Sequence, residues 1–266
     1  MTIKVDFKLS ATASPFALMT VVGLVGGLIG LAVATESYLY SYLAAFGTAT
    51  VIVLGMLFFV LIHHAVDAGW GTVARRWAEN FLAALPWLVL LFLPIYFFKG
   101  TIYEWVDADD HLKHVKEPFL NPRSFGLRAI IYFLAWITLA RFYRSRSLLQ
   151  DTTGDPAASL SLRRWAPLGL ILYALTATFA AIDWFMSVDY HWFSTMWGVY
   201  IFAHGALAAF ALLAITAVRM RAGPLQEQVH EEMLHDIGKL TFAFSVFWAY
   251  IAFSQWFLIW YGNIPE

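Results

Sequence analysis

The chain contains no cysteine. That absence removes disulfides, thiolate zinc sites, cysteine-ligated iron–sulfur clusters and any C-x-x-C-H attachment of a c-type haem. Charge is also scarce. Asp, Glu, Lys and Arg make up only 13% of the 266 residues and the formal net charge is -1, whereas a soluble domain carries about a quarter charged residues. With neither a basic stripe nor a long charge run, a nucleic-acid partner is excluded. Internal repeats and low-complexity tracts are missing too, which argues for one domain over residues 1–266. What the chain has in abundance is apolar surface. A hydrophobic share of 61% and a mean hydropathy of +0.66 identify an all-α integral membrane protein lying in a lipid bilayer.

A hydrocarbon core of roughly 30 Å needs about 20 apolar residues per helical span. Seven runs meet that length, at 16–34, 42–62, 81–98, 125–142, 166–186, 193–217 and 237–261. The first follows Lys4 and Lys8 and ends in Ala32-Val33-Ala34, like a signal peptide, but its apolar run is too long for a 7–15-residue h-region. It is expected to be a retained helix. With the seven spans alternating, twelve of the 17 Lys and Arg fall on the side of the amino terminus. The positive-inside rule then places that terminus in the cytoplasm and Glu266 on the outer side.

Two segments suggest how the bundle is held. Gly23, Gly26, Gly27 and Gly30 form two overlapping small-x-x-x-small ridges on the first span, predicting close packing against a neighbour. Between the second and third spans, Val66, Trp70, Val73, Trp77 and Phe81 recur at helical spacing, with Arg75, Arg76 and Glu79 opposite them. This pattern predicts an interfacial amphipathic helix with Glu79 facing water.

Ionisable residues in or beside the spans are the candidates for chemistry. His204 falls about eleven residues into the sixth run, roughly 16 Å deep and close to the midplane. It marks either a proton or substrate route or a neutral imidazole bonded to a neighbouring carbonyl. Asp183 lies one turn inside the outer end of the fifth run, with Asp189 and His191 just beyond it. Its carboxyl is either a group that titrates, pushed up by burial and down by His191, or one wetted at the interface. His63, His64 and Asp67 close the second run, as a proton entrance or, the favoured reading, as a solvated helix end. These His depths do not match the paired axial ligands of a di-haem cytochrome b, so no haem is expected in this chain. Asp109, Asp110, His111 and His114 read as a solvated docking loop rather than a metal site. Trp105, Tyr190, Trp192, Trp260 and Tyr261 read as interfacial belts.

Four stretches carry a family resemblance: GWGTVARRWAENF (69–81), the segment from DADDHLKH to PFLNPRSFGLR (107–128), IDWFMSVDYHWFSTMWGVYIF (182–202) and HDIGKLTFAFSVFWAYIAFSQWFLIWYGNIPE (235–266). Together they resemble the smaller polytopic subunit of bacterial alternative complex III, a quinol:electron-acceptor oxidoreductase, related to the NrfD and polysulfide-reductase membrane anchors. The resemblance implies a helical subunit without its own redox centre. Its implied partners are a larger NrfD-like sister subunit, an iron–sulfur subunit and c-type cytochrome subunits, which hold the iron–sulfur clusters and haem c, and menaquinol is oxidised in the complex. It also implies a proton path, whose candidates here are Asp183, Asp189, His191, His204, His63, His64 and Asp67. Family members continue past the NIPE string into further helices, so a shortened homologue or an incomplete sequence is expected.

Two other readings fit a polar helical bundle. A freestanding secondary transporter is opposed by the lack of an inverted repeat and of paired Gly/Pro-broken spans. A purely structural anchor would hold redox partners on the membrane, with Asp183 and His204 satisfied internally.

Overall fold

The computed structural model describes residues 9–263 apart from Trp70, Asp155 and Pro224. Lys4, Lys8, Trp70 and the final Ile264-Pro265-Glu266, which figured in the readings above, lie outside the described residues. Ten α-helices and no strand occur among the described residues: α1 (Leu9–Val33), α2 (Thr35–Ala65), α3 (Thr72–Phe81), α4 (Leu85–Phe97), α5 (Lys99–Ile102), α6 (His111–Lys116), α7 (Pro122–Thr153), α8 (Pro156–Trp184), α9 (Trp197–Arg221) and α10 (Glu231–Gly262). An all-helical solution is what lipid requires, because every backbone N–H and C=O must be satisfied within its own segment.

Six of these stretches are long and apolar enough to cross a membrane: α2, α3 with α4, α7, α8, α9 and α10. The run expected at 16–34 is helical in α1, but its apolar part, Leu18–Val33, is shorter than a membrane span among the described residues. Ala34 alone separates α1 from α2, where a loop between spans was expected. Tyr38 folds back over Gly27 and Gly30, while Gly23 and Gly26 meet nothing within 4 Å. The outer ridge of small residues on α1 therefore has no described neighbour.

Helix α2 is the axis of the bundle, packed against α9, α8, α3 and α4. Its close approach to α9 depends on two glycines that the sequence reading passed over. A Cβ on Gly55 would strike the carbonyl of Gly205, and one on Gly205 would lie 2.6 Å from the carbonyl oxygen of Val51. Small residues let helix backbones meet in lipid, where van der Waals packing drives association. Around this crossing the outer half of the core is filled by rings. Trp184 packs on Phe92, Phe133 and Phe46 at centroid distances of 4.8, 5.5 and 5.6 Å, and meets Trp136 edge-on at 5.7 Å.

The expected interfacial helix is instead the first part of a span. Helix α3 runs through a 3₁₀ turn at Leu82–Ala84 directly into α4. It buries Ala74, Ala78 and Glu79, whereas Val73, Trp77 and Phe81 are only half-buried. The small Ala74 and Ala78 mark the packed face, and Arg75 and Arg76 supply the charge that allows Glu79 inside.

Candidate functional site

Helix α7 starts cleanly, with Asn121 Oδ1 accepting from Ser124 N at 2.8 Å and Pro122 at the first position. Gly154, at φ 67°, stops it. Between these caps, Arg128, Tyr132, Trp136, Ala140, Tyr143, Ser147 and Asp151 recur every three or four residues, so they form one stripe along the helix. Two enclosed ionic clusters lie on that stripe.

The first, called outer after the side that the sequence reading assigns to it, centres on Asp183, which is 0% exposed. Arg128 holds it bidentately, Nε to Oδ2 and Nη2 to Oδ1, both at 2.7 Å. Tyr132 donates its hydroxyl to Oδ2 at 2.5 Å. The Arg128 guanidinium also stacks 3.9 Å above the Phe119 ring. One turn on, Ser187 donates to the Asp183 carbonyl and accepts from Trp105 Nε1 at 3.3 Å. Tyr103 donates to the carbonyl of Trp184 at 3.1 Å. Burial, and then the Asp183 charge, push the Tyr103 phenol well above its ordinary value. The partner of Asp183 is thus Arg128, where the sequence reading offered His191 or water. An acid inside an apolar run needs a cation at matched depth, and Arg128 and Tyr132 near the outer end of the fourth run were the available signal.

Asp189 and His191 sit apart from this cluster, on the rim. Asp189 Oδ1 accepts from the backbone N–H groups of His191 and Trp192 at 2.9 and 3.3 Å, a local turn bond. Exposed His191 lies on the Tyr190 ring, 4.1 Å between centroids, with Nε2 3.9 Å from Asp110. Asp110 caps α6 and accepts from the Tyr190 hydroxyl at 2.8 Å. The Lys113 amide and then that hydroxyl hold the Asp110 carboxyl below its usual range, and the same bond raises the Tyr190 phenol. A largely apolar cavity of about 420 Å³ opens beside these residues, walled by Phe119, Met186, Asp189, Tyr190 and Phe193 among others, without Asp183.

The inner cluster centres on Glu79, also 0% exposed. Arg76 Nη1 reaches it at 3.0 Å and Arg75 Nε at 3.5 Å. Arg76 bridges on to Asp151 at 2.6 Å, and Arg144 donates to the Glu79 carbonyl at 2.9 Å. His63 and His64 are buried, at 2% and 5% exposure, which corrects the solvated reading. His64 lies 5.3 Å from the Tyr143 ring, and His63 packs on Phe59 and beside Gly71. Asp67 turns away, at φ 53°, to pair with exposed Arg163 at 2.7 Å. Helix α3 packs on α2, and with Gly71 beside His63 and Tyr143 of α7 beside His64 both histidines are enclosed.

His204 joins neither cluster. Helix α9 begins at Trp197, which places His204 about 10 Å along it. Its side chain is exposed on the bundle surface, with the Trp248 ring at 6.5 Å. No group of three or more His, Asp or Glu is arranged to hold a metal ion among the described residues. Among models of known protein families and among curated proteins, nothing matches this chain.

Proposed function

We propose that the chain is a non-redox membrane subunit of a bacterial quinol:electron-acceptor oxidoreductase of the alternative complex III type. In this reading it contributes a proton path and holds against the membrane the partners that carry the iron–sulfur clusters and c-type haems. The family resemblance in four stretches supports the assignment. One observation carries the proton path: two enclosed clusters of titratable groups share one face of α7, at opposite ends of the span. From Tyr132 to Tyr143 is about 16 Å along the helix, and the rings of Trp136 and Trp184 fill the interval on the outer side. The Asp183 cluster borders the 420 Å³ cavity through buried Ser187, and the Glu79 cluster reaches the surface through Arg76 and exposed Asp151. Enclosed ionisable groups on a bundle interior are the usual components of proton relays. His204, on the outer surface of α9, is set off this route and suits contact with another subunit.

A second reading, the structural anchor, is favoured by the bidentate Arg128 clasp, which satisfies both oxygens of Asp183. Glu79→Gln and the neutral pair Asp183→Asn with Arg128→Gln separate the two. Quinol turnover and protons released per electron are measured in reconstituted vesicles, normalised to assembled complex. The proton-path reading expects assembly with fewer protons per electron or slower turnover. Wild-type stoichiometry and turnover in both variants would establish the anchor.

A further inference from the structure

At the arginine-rich end of the bundle, Arg141 has no hydrogen bond, ion pair or ring contact among the described residues, although it is exposed on a membrane span. It stands nineteen residues past Pro122, about 28 Å along α7, where a hydrocarbon core of roughly 30 Å gives way to headgroups. Arg144 is one turn on. Its Nη1 is bonded to the Glu79 carbonyl and to Asn80 Oδ1, each at 2.9 Å, while Nε and Nη2 bond to no described residue.

Two cavities meet at this pair of arginines. One, of about 590 Å³, is open and edged by Thr138, Ser145 and Leu148. The other, of about 240 Å³, runs between α4 and α7 and is walled by Leu82, Leu85, Pro86, Ile137 and Ala140. No acidic side chain lines either one. The nearest acids are committed elsewhere, Glu79 to Arg75 and Arg76, and Asp151 to Arg76.

We infer that this groove is a binding site for an anionic phospholipid, with its phosphate on Arg141 and Arg144 and an acyl chain lying between α4 and α7. The arginines supply charge-assisted, fork-shaped donors that match phosphate oxygens. A free anion would leave the apolar slot unused, and a zwitterionic headgroup would bring a second cation towards two arginines that already lack a counter-charge. Basic pockets between spans recognise anionic headgroups by this combination. Arg144 is shared with the Glu79 cluster, whereas Arg141 belongs to this groove alone.

The test uses the full-length chain in mild detergent. It is titrated with dioleoyl phosphatidylglycerol, dioleoyl phosphatidylcholine or inorganic phosphate, and adducts are counted by native mass spectrometry. Phosphatidylglycerol is expected to bind preferentially. Arg141→Gln should weaken it about fivefold, Arg141→Lys should retain most of it, and Arg164→Gln, an exposed arginine at the same end, should change nothing. Arg141 makes no hydrogen bond, ion pair or ring contact among the described residues, so its variant keeps the fold, and an unchanged melting temperature checks this. Equal binding of the two lipids, an unaltered Arg141→Gln titration, or inorganic phosphate competing away the lipid at comparable concentration would each overturn the site.

Discussion

Neutralising Asp183 alone should damage the fold more than neutralising it together with Arg128. The carboxylate is fully enclosed, and its two 2.7 Å bonds to a guanidinium with 17% side-chain exposure form a largely buried ion pair. Removing one member of such a pair costs about 3–5 kcal/mol, because the other is left charged without compensation. For Asp183→Asn we expect the low end, about 3 kcal/mol, since Arg128 keeps partial exposure and its seat on Phe119. For Arg128→Gln we expect the high end, about 5 kcal/mol, since Asp183 would retain only the Tyr132 hydroxyl among its side-chain donors. The double variant leaves two neutral amides that can bond to each other. It should fall short of the sum by about 2–3 kcal/mol, the size of coupling found between residues in one network. Equilibrium unfolding of the full chain in mixed micelles, followed by tryptophan fluorescence, measures all three. Single costs below about 1 kcal/mol, or additivity within about 0.5 kcal/mol, would refute a desolvated pair.

The α2–α9 crossing predicts that Gly205→Val destabilises the chain by about 1–3 kcal/mol or more, the usual cost of overpacking, whereas Gly26→Ala, with open space around it, leaves the melting temperature unchanged. Thermal unfolding in detergent measures both. At the outer rim, the Asp110 carboxyl is held below its usual range, so the order it confers on α6 is complete above the unfolded carboxylate value of about 3.9 and is lost as pH falls through the lower folded value. Hydrogen exchange at the Lys113 amide, corrected for intrinsic rate, should show protection disappearing on acidification, and Asp110→Asn should flatten that dependence.

Apolar run length made the helices legible, since each expected run from 42–62 onward overlaps a helical span. Their ends were less so. The sixth run was read from 193, but the chain is irregular until Trp197. Glu79 was assigned to water because the aromatic stripe of α3 was taken as its buried face. In lipid the rings of Trp77 and Phe81 can be solvated by acyl chains, and small residues are what mark a helix contact. The Arg128–Asp183 pairing spans 55 residues, and the depth match that encodes it appears only once α7 and α8 are set antiparallel. His63 and His64 looked like a helix end in sequence and are enclosed because α3 and α7 pack against α2 there.

Helix α10 has a mechanical consequence. Its 32 residues rise about 48 Å, some 18 Å more than a hydrocarbon core of roughly 30 Å, and its charges are confined to the first nine: Glu231, Glu232, Asp236 and Lys239. The opening turns therefore stand clear of lipid as a stiff post, coupled to α9 by the 2.7 Å Arg221–Glu231 pair. Met233 and Ile237 are buried in those turns, so the post is braced at its base, and a tilt of α10 must carry the packed end of α9 with it.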